Sequence, residues 1–78
     1  MSGALTMRVK AFLREADMPP SAFGRDVAGD PRLVTDLRNG REVRRKLAER
    51  IERYMTDWRA DYAAGRVQRV GDRRRSRD

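Results

Sequence analysis

Leu5, Val9, Phe12 and Leu13 recur at spacings of three and four, with Arg8, Lys10, Arg14 and Glu15 set between them. That period predicts an amphipathic helix over about residues 5–16, with Thr6 as its cap. Pro19 and Pro20 break it, and Pro20 suits the first turn of a second helix over about residues 20–28. Phe23 and Val27 give that helix its buried face, and Gly29 ends it. Asp30 and Pro31 then open a third helix, the aspartate capping exposed N–H groups and the proline standing where its missing N–H does no harm. Leu33, Val34 and Leu37 are its apolar face, and Asn39-Gly40 closes it with a left-handed residue. A fourth helix is expected over about residues 43–64, carrying the stripe Leu47, Ile51, Tyr54, Met55, Trp58 and Tyr62, with Glu49 and Arg53 paired across one turn and Gly65 as its stop.

The pattern therefore predicts one all-α domain over residues 1–64, built of four helices with a tight corner between the second and third. A tail over residues 65–78 carries Arg66, Arg69, Arg73, Arg74, Arg75 and Arg77 and almost nothing to bury; it is expected to be disordered in the free protein.

Composition narrows the function. With 78 residues the core is small and stability marginal. Neither cysteine nor histidine occurs, which removes disulfides, thiolate metal sites and the commonest general base. No acid–base constellation is visible, so no catalytic residues, metal ligands or cofactor are expected. Nineteen Lys plus Arg against twelve Asp plus Glu leave a net charge of +7, a balance that favours a polyanionic partner such as nucleic acid, or an anionic membrane surface. All the cations except Lys10 and Lys46 are arginine, whose guanidinium forks onto phosphate and guanine. No apolar run has signal-peptide or membrane-span length, and the expected location is the cytoplasm, at the nucleoid.

The stretch "AFGRDVAGDPRLVTDLRNGR" over residues 22–41 concentrates these signals. A helix that enters a major groove needs one apolar face for its scaffold and one short polar face for the bases. Opposite Leu33, Val34 and Leu37 stand Arg32, Thr35, Asp36 and Asn39, the expected base-contacting set. Arg32 is the leading member, because a guanidinium pairs bidentately with guanine O6 and N7. Asp36 either accepts from cytosine or orients a neighbouring arginine. Ser21, Arg25, Arg38, Arg41, Arg44 and Arg45 are the expected phosphate contacts, which add affinity and register; each arginine has solvated surface charge as its plain alternative.

Residues 20–54 resemble the helix-turn-helix of lambda-repressor-like (Cro/repressor-type) DNA-binding domains. In that register "FGRDVA" stands where the family carries an "LAxxlG" pattern: Phe23 and Val27 take the buried places and Gly24 the small-residue place at a close crossing. Val34 and Leu37 fall at the buried positions of the recognition helix, and Gly40-Arg41 matches its closing glycine and cation. Ala28 stands where the family usually has glycine, Pro20 where it often has a phosphate-touching polar residue, and Arg38 where an acidic residue is frequent. The resemblance implies a double-stranded DNA partner and a bacterial or phage-type transcriptional regulator.

Phe12, Phe23 and Tyr54 read as core. Trp58 and Tyr62 extend the stripe of the last helix beyond what a core of this size needs. Either a second copy covers them, giving a homodimer suited to half-sites about 34 Å apart, or Trp58 folds back on the first helix. The arginine tail tracks phosphates or the minor groove, binds an acidic protein surface, or serves solubility alone. Two rival readings remain. One is a non-specific architectural DNA binder. The other is a protein-interaction module, such as an antitoxin or phage adaptor, that docks a partner through its Trp58–Tyr62 surface. For the DNA-binding reading, RNA polymerase or another regulator is a further candidate partner.

Overall fold

The computed structural model of the protein describes residues 2–69. Four helices follow one another: α1 (Ser2–Ala16), α2 (Pro20–Ala28), α3 (Leu33–Arg38) and α4 (Arg45–Ala63). No strand occurs among the described residues.

α1 starts at Ser2, ahead of the expected residue 5, so Thr6 lies inside it rather than capping it. Leu5 is already buried, and its packing holds the first turn without a cap. At the other end Asp17 takes a left-handed backbone (φ 53). The Met18 N–H bonds back to the Leu13 carbonyl at 3.0 Å, a helix ending that glycine usually supplies. α2 has the expected bounds, with Pro20 in its first turn and Gly29 (φ 65) closing it.

α3 is shorter than expected. It begins at Leu33, because Pro31 and Arg32 form a turn ahead of it. Asp30 orders that turn instead of capping the helix: its carboxylate accepts from the Arg32 N–H at 2.9 Å and its carbonyl from the Leu33 N–H at 3.1 Å. Arg32 nonetheless has helical backbone angles, and its carbonyl accepts from the Asp36 N–H at 2.9 Å. Gly40 (φ 93) ends the element as expected, with the Arg41 N–H returned to the Asp36 carbonyl at 2.9 Å. α4 starts at Arg45 rather than Val43, since Arg44 is extended (ψ 163).

The core is drawn from all four helices: Leu5, Val9, Phe12, Leu13 and Ala16 from α1, Phe23 and Val27 from α2, Leu33, Val34 and Leu37 from α3, and Ile51 and Met55 from α4. No polar or charged residue is buried among the described residues, so apolar burial drives the fold. Phe12 is its centre. Its ring meets Phe23 at 5.8 Å, Tyr54 at 6.2 Å and Trp58 at 5.5 Å between centroids, the last two edge-on, and the Arg59 guanidinium lies 5.3 Å from its centroid. These are the separations at which aromatic quadrupoles and a cation attract.

Ion pairs tie α1 to α4 at its edge. Arg8 pairs with Glu52, and Arg59 forks onto both oxygens of Glu15 at 2.9 and 3.0 Å. The hydrogen bond from Arg59, helped by its charge, holds the Glu15 carboxyl below the usual range. Both pairs are about half exposed; such pairs orient helices more than they stabilise them.

Tyr54 joins α4 to α2 by donating its hydroxyl to Asp26 at 2.9 Å. Burial, then the hydrogen bond to Asp26 and its charge, raise the phenol well above the ordinary tyrosine value. A raised folded-state value stabilises the protonated form. The contribution is therefore full below the unfolded value of about 10 and is lost as pH rises past it. Tyr54→Phe is expected to lower stability by about 1 kcal/mol near neutrality and to flatten the alkaline fall in urea midpoint relative to wild type. Equally steep alkaline limbs in the two proteins would refute this role.

Candidate nucleic-acid interface

The inward face of α3 is sealed: Leu33, Val34 and Leu37 are at most 3 % exposed. Its outward line is Arg32, Thr35 and Asn39, all exposed. The corner with α2 sets its angle. Gly24 is buried where the chain doubles back, and a Cβ there would run into the Asp30 carbonyl oxygen and lie 3.1 Å from the Leu33 Cβ. The Asp30 N–H also bonds to the Gly24 carbonyl at 3.2 Å. The small residue at this place thus admits the turn itself as well as the neighbouring helix.

Asp36 does not stand free on the outward face. Its carboxylate holds the Arg41 guanidinium at 3.2 Å, and Asp30 lies 3.8 Å from the same group. Of the two roles expected for Asp36, the geometry matches the orienting one. Arg41, expected as a phosphate contact, is thereby fixed beside the end of α3 with 45 % of its side chain exposed.

The other expected phosphate contacts, Ser21, Arg25, Arg38, Arg44 and Arg45, are exposed. Ser21 has a weaker setting than a helix start usually offers. Pro20 beside it has no N–H, and the Ala22 N–H already bonds to the Pro19 carbonyl at 3.1 Å. Arg44 and Arg45 stand at the opening of α4.

Residues 65–69 turn back on the end of α4. The Arg66 N–H bonds to the Asp61 carbonyl at 2.8 Å and its guanidinium to the Asp61 carboxylate at 2.9 Å. The Arg69 guanidinium lies 5.8 Å from the Tyr62 ring centroid. Arg66 and Arg69, expected in a disordered tail, thus have intramolecular partners, because α4 ends with an acid and an aromatic within their reach. Arg73, Arg74, Arg75 and Arg77 lie outside the described residues.

Trp58 is covered from within the chain. Its ring meets Phe12 edge-on and stacks on Tyr62, 5.1 Å between centroids and 8° from parallel. Of the two expectations for Trp58, the contact with Phe12 is the fold-back on α1, while Tyr62 stays 38 % exposed.

Two cations that the sequence pattern left as surface charge join the candidate interface. Lys10 and Arg14 of α1 line one open hollow together with Arg38 of α3. Their signal in the sequence is the stripe Met7, Lys10 and Arg14, which carries no acid within α1.

Among the described residues no cluster of three potential metal ligands occurs, and no helix is long and apolar enough to cross a membrane. Comparison with protein-family models, with curated proteins and with solved structures found no match.

Proposed function

We propose that the protein binds double-stranded DNA sequence-specifically, with α2 and α3 acting as a lambda-repressor-like helix-turn-helix and α3 lying in the major groove, as a transcriptional regulator of bacterial or phage type. The observation that carries this reading is the division of α3: three buried aliphatic residues on one side, and Arg32, Thr35 and Asn39 exposed on the other. The exposed line supplies a guanidinium, a hydroxyl with a methyl, and an amide, the groups that read guanine, thymine and adenine edges. Arg41, held by Asp36 and Asp30, serves as an oriented backbone clamp next to that line. The net charge of +7 supplies the long-range attraction.

Arg32→Ala tests the assignment. On a duplex enriched by wild-type protein from a randomised pool, the substitution is expected to weaken binding about tenfold to a hundredfold, as loss of one bidentate base contact does. Affinity for random duplex should change several-fold at most. Equal losses on both duplexes would make Arg32 a backbone contact and favour the architectural reading.

A further inference from the structure

We propose that α1 is part of the DNA-binding surface: Lys10 and Arg14, with Arg38, form a seat for the phosphodiester strand that borders the groove occupied by α3. The proposal rests on the DNA-binding reading above and extends it to a helix outside the α2–α3 pair.

The two flanks of α1 are built differently. Arg8 and Glu15 face α4, and each has an opposite charge waiting there, Glu52 and Arg59. Lys10 and Arg14 turn the other way, and what meets them across the hollow is a third cation, Arg38 from the end of α3. No ion pair joins any of the three to a carboxylate among the described residues. Glu42 lines the neighbouring hollow, shared through Arg38 with Gly3, Thr6 and Met7, and it makes no ion pair with Arg38 there. Three like charges from two helices line this hollow, and an anion seated there meets no carboxylate in the lining.

The form of the seat selects the anion. The hollow is open and its lining side chains are exposed, so it suits the edge of a long polyanion better than an enclosed small ligand. Two of the three cations are guanidiniums, which fork onto phosphate oxygens. Arg38 follows directly on the buried Leu37 of α3, so a strand flanking a groove filled by α3 runs past this hollow. Contacts of this kind fix the protein's register on the duplex without reading its sequence.

The test compares the full chain with Lys10→Ala/Arg14→Ala, and with Arg50→Ala/Arg53→Ala, which removes the same charge from a separate hollow on α4. Affinities for the enriched duplex and for a random duplex are measured from 50 to 300 mM NaCl, after thermal melts establish that each variant is folded. The α1 variant is expected to reduce the slope of log K against log salt by about 2. Its preference for the enriched over the random duplex should stay within twofold of wild type, and the α4 variant should move the slope by less than half as much. An unchanged slope in the α1 variant, or an equal loss in both variants, would overturn the proposal while wild-type discrimination leaves the α3 reading standing. Absence of any DNA binding by wild type would overturn both.

Discussion

Phe12→Ala is expected to leave the protein largely unfolded at 37 °C. The ring is wholly buried, and Phe23, Tyr54, Trp58 and Arg59 surround it, so its loss removes transfer free energy and leaves a cavity that three other aromatic rings cannot fill by rotating in place. Buried Phe-to-Ala changes cost about 3–5 kcal/mol. A single core in a chain of this length rarely supplies more than about 3–5 kcal/mol in total. The melting temperature should therefore fall by about 12–40 °C, at ~4–8 °C per kcal/mol. Trp58 fluorescence is a direct reporter, because that indole packs against the missing ring. Met7→Ala, at a side chain 68 % exposed, should change stability by less than about 0.5 kcal/mol. A drop of under 1 kcal/mol for Phe12→Ala would mean that α1, α2 and α4 do not converge on this residue.

Gly24→Ala is expected to destabilise the fold by about 1–3 kcal/mol, with the sign opposite to that of an ordinary helix position. Inside a helix, alanine is favoured over glycine by roughly 0.5–1 kcal/mol. Here the added methyl meets the Asp30 carbonyl oxygen, which is backbone, and crowds the Leu33 Cβ. Relief requires the turn over residues 29–32 to move, and that turn sets the angle of α3. DNA discrimination should consequently be lost at temperatures where circular dichroism still reports folded helices. Gly3→Ala is the internal control, since nothing lies within 4 Å of a Cβ there. Urea denaturation of the two variants side by side decides the matter; a Gly24→Ala protein as stable as wild type would show that the corner has room to spare.

Hydrophobic periodicity made the helices legible because each must bury one face. Phe23, Val27, Leu33, Val34 and Leu37 were all assignable to the core from spacing, and all are buried. Boundaries were less accessible. Thr6 has the chemistry of a cap, yet Leu5 is already anchored in the core, and burial overrides local propensity. The Asp30-Pro31 pair reads as a helix start, but the close approach to Gly24 makes it a turn whose carbonyl serves the next segment. Side-chain partnerships across elements were not legible at all. Nothing local in the sequence tells that Arg8 and Glu15 find acid and base on α4 while Lys10 and Arg14 find another cation. The fate of Trp58 was legible only as one of two alternatives, because the contact with Phe12 that decides it joins the two ends of the domain.

The groove-reading role proposed for α3 is tested most directly by selection. Full-length protein would be used to enrich a pool of duplexes carrying a randomised 30-bp segment through successive rounds of capture at 150 mM NaCl, followed by sequencing. The account predicts convergence on a short motif, and loss of that convergence when the selection is repeated with Arg32→Ala. A pool that stays random under wild-type protein, while total DNA is retained, would contradict specific readout by α3.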